Sequence, residues 1–202
     1  MWKDGIMHKL YFNPRTRHLA VRLLLICAFV LLLGACGSKP AADAADPAIY
    51  KAYPDLQGRP VTLTEVKRVV DGDTFETSAG EKVRLIGVNT PETVKPGSPI
   101  QPYGKQASAF TKGRLTGKSV YLFADTGDKD KYGRLLRYVF IQGESVMFNE
   151  TLVREGYANT MTIQPNVMFQ DLFLDAEKEA RKAKRGLWGD PAQAKESGTK
   201  KK

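Results

Sequence analysis

The chain has 202 residues, 42% of them hydrophobic and 9% aromatic, which is enough for one buried core and hardly enough for two. Its 31 Lys and Arg against 22 Asp and Glu leave a formal charge of +9, a surplus that favours a polyanionic partner or an anionic membrane surface. Only 2 histidines and 2 cysteines are present, so chemistry that depends on imidazole or thiol has little to draw on.

The N-terminal 35 residues stand apart. Lys3, Lys9, Arg15, Arg17 and Arg22 form a basic leader, Leu23 to Leu33 is almost wholly apolar, and Leu33-Gly34-Ala35-Cys36 follows directly. Residues 1–35 read as a secretion signal whose end resembles a bacterial lipobox, with Cys36 as the acylated new N-terminus. The apolar run is short for a transmembrane helix. An uncleaved signal-anchor helix and a plain secretory signal with an incidental cysteine are the alternatives, and Met7 could serve as the start in place of Met1. Cleavage before Cys36 removes five basic residues and Asp4, leaving 26 basic against 21 acidic side chains. It also removes His8, His18 and Cys27. The remaining chain has no histidine and a single, lipidated cysteine. That excludes Ser-His-Asp and Cys-His nucleophiles, histidine or thiolate zinc sites and any disulfide framework. An enzyme built from it works with carboxylates, Lys, Arg, Tyr or hydroxyls.

Residues 36–60 are rich in Ala, Asp, Pro and Gly without periodicity and are expected to form a flexible tether. A domain is expected over 61–190, a common domain size, followed by a disordered basic tail over 191–202 that ends in Lys200-Lys201-Lys202. Within the domain, Val61 to Val70 is a β-branched strand that leads into Asp71-Gly72, a dipeptide favoured in hairpin turns. Thr74 to Thr77 and Lys82 to Val88 complete three antiparallel strands. Tyr103 to Leu115 has helical spacing and is stopped by Gly117. Ser119 to Ala124 and Leu135 to Ile141 are two further strands joined by a polar turn. Helices are expected from Phe148 to Glu155 and from Val167 to Lys184, the last with Met168, Leu172, Ala176, Ala180 and Ala183 on one face. Five strands with a helix after the third match an α+β fold, a five-stranded OB-type β-barrel with three helices.

Three clusters carry chemistry: Asp71-Gly72-Asp73-Thr74; Arg84 with Asn89-Thr90-Pro91-Glu92; and Asp130-Lys131-Tyr132-Gly133-Arg134. The first and third are also ordinary turn sequences. Arg84 is harder to reduce to local structure. It alternates in phase with Ile86 and Val88 on a strand whose other face carries Val83 and Leu85, so it must pair with a carboxylate or reach the barrel mouth. Glu92 lies in the loop that leaves this strand, and loops on a rigid scaffold often carry catalytic groups.

These clusters, together with Tyr103-Gly104-Lys105-Gln106-Ala107-Ser108-Ala109-Phe110, Leu152-Val153-Arg154-Glu155-Gly156 and Gly186-Leu187-Trp188, are similar in order and spacing to the staphylococcal nuclease family over about Val61 to Trp188. The resemblance implies a five-stranded OB barrel with three helices. It also implies a calcium-dependent phosphodiesterase, endo- or exonucleolytic, acting on DNA or RNA with little sequence preference and yielding 3'-phosphorylated products. Carried over residue by residue, Asp73, Asn89 and the Thr90 carbonyl would bind Ca2+, and Asp71 would support the metal as a nearby charge. Glu92 would act as general base or positioner of water, Arg84 and Arg134 would grip the scissile phosphate, and Lys131 and Tyr132 would bind the neighbouring 5'-phosphate. Oxygen ligands suit a hard cation, and a planar guanidinium matches two phosphoryl oxygens at once, so the set is chemically coherent without a histidine.

Two positions depart from the family pattern. Asn89 stands where the family often has aspartate, which takes one charge from the proposed metal site. The segment from Asn159 to Asn166 is shorter and lacks tyrosines that flank the nucleotide, having Thr160, Thr162 and Gln164 instead. The expectation is a monomer, lipid-anchored at Cys36 to a bacterial membrane, with its domain extracytoplasmic in the cell envelope. A catalytically silent nucleic-acid-binding OB domain and an envelope interaction module are the rivals. Retention of Arg84, Glu92 and Arg134 argues against both, since binding alone needs only scattered basic residues.

Overall fold

The computed structural model describes residues 45–93 and 101–189. The expected secretion signal, Cys36, the start of the tether and the basic tail lie outside the described residues.

Strand β1 (Val61–Asp71) runs the length of the barrel. It is followed by β2 (Thr74–Thr77), β3 (Lys82–Leu85), β4 (Val88–Asn89), β5 (Ser119–Phe123), β6 (Leu135–Ile141) and β7 (Asn159–Thr160). Strands β1, β2, β3, β6 and β5 close, in that order, into a five-stranded barrel, which is the expected fold class. The first half of β1 pairs with β5 and the second half with β2, both antiparallel, and register shifts after Val66 and Val69 bend the strand between its two partners. Parallel pairing of β3 with β6 makes the closure.

Alternation along β5 and β6 explains why both strands are almost continuously apolar. Val120, Leu122, Val139 and Ile141 face one buried cluster with Val66, Phe75, Val83 and Leu85. Tyr121, Phe123, Tyr138 and Phe140 face a second cluster. A strand buried on both faces needs cover on both. Cover for the second face comes from the segment expected to be a tether, and that expectation is corrected over its second half. Pro47–Ala52 forms helix α1, and a 3-10 turn spans Pro54–Leu56. Asp46 caps α1 by accepting the Ala48 N–H at 2.8 Å, and Pro47 occupies its first position. Ile49, Tyr53 and Leu56 are buried in the second cluster. Buried Tyr53 donates its hydroxyl to Glu150 at 2.6 Å and accepts the Met147 N–H at 3.0 Å. The shortness of this element and its Asp, Pro and Gly neighbours hid it, although Ile49, Tyr53 and Leu56 recur at helical spacing.

The three expected helices are α2 (Gly104–Leu115), α3 (Phe148–Arg154) and α4 (Gln170–Lys182), and α1 makes a fourth among the described residues. On α4 the buried residues are Phe173, Ala176, Glu177 and Ala180, while Ala183 is exposed, so the core face is rotated from the expected stripe. The expected strand from Lys82 to Val88 is also interrupted. Gly87 has φ +78, and a Cβ there would lie 2.2 Å from the Phe173 ring, so only glycine lets α4 approach. The break reverses the phase. Val88 joins the cluster of Val83 and Leu85 while Ile86 joins the opposite one, so Arg84, Ile86 and Val88 do not share a face. Beyond the break, β4 leaves the barrel and pairs with β7.

Candidate active site

The turn between β1 and β2 brings two buried carboxylates together. Asp71 ends β1, Asp73 precedes β2, and each is 7% exposed. Asp73 accepts from the Thr74 hydroxyl at 3.0 Å through Oδ1. Its Oδ2 accepts from the Thr90 N–H at 2.9 Å and the Thr90 hydroxyl at 3.0 Å. Gly72 makes this possible, since a Cβ there would come within 2.7 Å of the Thr90 side chain. Asp71 Oδ1 accepts from the Gly72 N–H at 2.8 Å and the Thr93 hydroxyl at 2.6 Å. Helix α2 grips the same turn through the Thr111 hydroxyl, which donates to the Gly72 carbonyl at 2.6 Å.

Arg84 completes the pair. Its NH2 lies 3.2 Å from Asp73 Oδ2 and donates to Asn89 Oδ1 at 3.3 Å, while NH1 donates to the carbonyls of Leu85 at 2.7 Å and Val88 at 2.8 Å. The guanidinium is thus both paired and hydrogen-bonded, as a buried charge requires. Burial pulls its pKa down and the nearby Arg134 charge adds to that, while Asp73 opposes both. Arginine remains protonated regardless.

Arg134 is set by its own turn. Asp130 accepts the N–H groups of Tyr132 at 2.9 Å and Arg134 at 3.0 Å, and pairs with Arg134 Nε at 2.6 Å. Gly133, at φ +78, lets the chain make that turn. Burial works to raise the Asp130 pKa, but its bonds with Arg134 and Tyr132 outweigh burial and hold it below the usual carboxylate range. Asp130 was not among the residues singled out for a role, although an Asp at the head of a turn is itself a signal.

A cavity of about 270 Å³ is lined by Asp71, Asp73, Asn89, Thr90 and Glu92 together with Arg84, Arg134 and Met161. The structure thus gathers Arg84, Glu92, Arg134, Asp73, Asn89, Thr90 and Asp71 around one space. Lys131 and Tyr132 do not line it. They flank Arg134, with Lys131 Nζ 5.1 Å and Arg134 Cζ 5.5 Å from the centre of the exposed Tyr132 ring.

The cavity carries both signs. Burial raises the Asp71 pKa, and the Asp73 and Glu92 carboxylates raise it further against the hydrogen bonds from Thr93 and Gly72. Crowded carboxylates of this kind are relieved by a cation. The donors offered are carboxylate, amide and hydroxyl oxygens, a set that fits a hard divalent ion. Among the described residues no three His, Cys, Asp or Glu side chains converge on one point, so such an ion would rest partly on amide and backbone oxygens. Thr90 gives both its N–H and its hydroxyl proton to Asp73, so what it has left for such an ion is the lone pairs of its oxygens.

A smaller cavity of about 100 Å³ shares Arg84, Arg134 and Met161 and is otherwise lined mainly by aliphatic groups, among them Leu136 and Ile163, with no aromatic ring. Met161 and Ile163 are further residues that sequence reasoning passed over. Their approach depends on β7, just beyond which the Met161 N–H donates to the Gly87 carbonyl at 2.9 Å.

A family model described as staphylococcal nuclease homologue matches residues 82–190. A thermonuclease of Staphylococcus intermedius is 47% identical over 146 residues, covering 71% of this chain and 84% of that protein. A thermonuclease of Staphylococcus hyicus is 46% identical over 129 residues, covering 62% of this chain and 75% of that protein. A prophage-derived endonuclease of Bacillus subtilis is 42% identical over 126 residues, 60% of this chain and 42% of its own length.

Proposed function

The chain belongs to the staphylococcal nuclease family, whose members are metal-dependent nucleases, and from that premise we propose a calcium-dependent phosphodiesterase that cuts DNA or RNA with little sequence preference and leaves 3'-phosphorylated ends. The observation that carries this reading is the single cavity lined by Arg84 and Arg134 on one hand and by Asp71, Asp73 and Glu92 on the other.

In this reading Arg84 and Arg134 hold the non-bridging oxygens of the scissile phosphate, where negative charge builds as water attacks. Asp73 and the Leu85 and Val88 carbonyls aim Arg84, and Asp130 aims Arg134, so neither guanidinium has to reorganise during the reaction. Glu92 orients the water and takes its proton. Its loop is tied to the chain ahead of α2 by bonds between the Glu92 and Gln101 backbones and from the Glu92 N–H to the Gln101 side chain, each 3.0 Å. The P–O5' bond breaks as the water oxygen bonds to phosphorus, the proton taken up by Glu92 is released and one proton from solvent ends on the 5' oxygen, so that the phosphate stays on the 3' side and the 5' side leaves as a hydroxyl. Lys131 and Tyr132, beside Arg134, bind the neighbouring 5'-phosphate. Asp73, the Asn89 amide oxygen and the Thr90 carbonyl would hold the calcium ion, with Asp71 as a supporting charge. Bound there, the ion supplies positive charge against the phosphoryl oxygens. Bases meet Met161 and Ile163 rather than an aromatic wall, in keeping with weak base preference.

Plasmid DNA and RNA incubated with the purified chain should be degraded with calcium and spared with a chelator. The product ends should resist polymerase extension until treated with phosphatase. Degradation that survives chelation would overturn the calcium dependence, and ends that extend directly would overturn the product assignment.

We further propose that the protein is a monomer, anchored by lipid at Cys36 with its domain extracytoplasmic in the bacterial envelope. The lipobox-like Leu33 to Cys36 supports the anchor. One acyl chain anchors poorly, so more than one is expected. Cys36→Ser should abolish incorporation of labelled fatty acid. Incorporation equal to that of the unsubstituted protein would place the anchor elsewhere.

A further inference from the structure

Two residues of β4 pair with two of β7, Val88 opposite Thr160 and Asn89 opposite Asn159, and the two strands form a sheet of their own. So short a pair is marginal without outside support. Yet β4 supplies two of the acceptors that hold Arg84, the Val88 carbonyl and Asn89 Oδ1. What holds β7 is therefore of consequence for the site.

Glu177 on α4 holds it. Its Oε2 accepts the Thr160 N–H at 2.8 Å and also the Thr160 hydroxyl. Its Oε1 accepts from Arg181 Nε at 2.9 Å and NH2 at 2.5 Å. Glu177 is 9% exposed, too deep to serve as a solvated surface charge. Arg181 is pinned in turn, its Cζ lying 3.6 Å from the centre of the Trp188 ring. Trp188 belongs to the 3-10 turn Gly186–Trp188, which is tied down by the Leu187 N–H to the Gly156 carbonyl at 2.8 Å. A continuous chain of contacts thus runs from Trp188 through Arg181, Glu177, Thr160 and Val88 to Arg84. Glu177 itself does not line the cavity.

We propose that Glu177 is a positioning residue for Arg84, acting through the β4–β7 pair. It rests on the assignment of Arg84 to the scissile phosphate. Glu177→Ala should lower kcat per folded molecule by about tenfold, since small misplacements of an oriented group are costly, with KM changed much less. Glu177→Gln should recover most of the loss, because the amide oxygen can still accept from Thr160. Combined with Arg84→Ala, Glu177→Ala should add no further loss of kcat, as residues on one route are not additive. Thr160→Val keeps the backbone bond and should lower kcat by a smaller factor that likewise disappears in the Arg84→Ala background. It tests the same route should Glu177→Ala fold poorly.

A lowered melting temperature with kcat per folded molecule unchanged in both Glu177→Ala and Thr160→Val would make Glu177 a structural staple only and overturn the proposal. Losses that multiply with that of Arg84→Ala would also overturn it. Full activity in Arg84→Ala itself would instead remove the catalytic assignment on which the route depends.

Discussion

Arg84→Ala and Arg134→Ala should each lower turnover on plasmid DNA by a factor of about a hundred or more, as loss of a preorganised transition-state donor does. The two variants should differ in stability. Arg84 and Asp73 form a pair whose side chains are 10% and 9% exposed, and removing one partner of a buried pair costs about 3 to 5 kcal/mol. Arg134 is 28% exposed and its partner Asp130 is 18% exposed, so its loss should cost far less stability. Turnover must therefore be measured per folded molecule, with Arg134→Ala as the cleaner reading. Glu92→Gln should also lower turnover while the fold survives, since its backbone bonds to Gln101 do not involve the carboxylate. Normal turnover in all three folded variants would sink the mechanism.

Asn89→Asp should lower the calcium midpoint for activity by about tenfold, and Asp73→Asn should raise it by at least as much, because full carboxylate charge offsets the dehydration of a divalent ion better than an amide does. The gain from Asn89→Asp is limited by a neighbour. Arg84 NH2 already lies 3.3 Å from Asn89 Oδ1, so the introduced carboxylate would strengthen that bond as well as the metal site. Tighter metal binding need not raise kcat at saturating calcium, since ground state and transition state are then stabilised alike. Calcium titrations of activity and calorimetric binding, at one salt concentration, read both variants. Unchanged midpoints in both would mean that this carboxylate and amide do not hold the ion.

Sequence alone determined what depends on neighbours along the chain. The β-branched run of β1, the apolar runs of β5 and β6, the helical spacing of α2 and the Asp-Gly turn are local patterns, and they sufficed for the five-stranded barrel. Residue chemistry did the same for the site's membership. With no histidine beyond His18, the motifs of Asp71 to Thr74, Arg84 to Glu92 and Asp130 to Arg134 were left to carry any catalysis, and all three contribute to one cavity. Tertiary structure decided what depends on which distant groups meet. Helix α1 exists because the outer faces of β5 and β6 expose Tyr121, Phe123, Tyr138 and Phe140, a demand invisible in residues 45–60 themselves. The break at Gly87 exists because the Phe173 ring arrives there from α4. The raised pKa of Asp71 comes from burial first, with Asp73 and Glu92 adding to it, and the hold of Glu177 on Thr160 spans 17 residues with no periodicity to announce it. Burial, charge proximity and steric approach belong to pairs of residues separated along the chain, so a pattern read along one strand or helix cannot contain them.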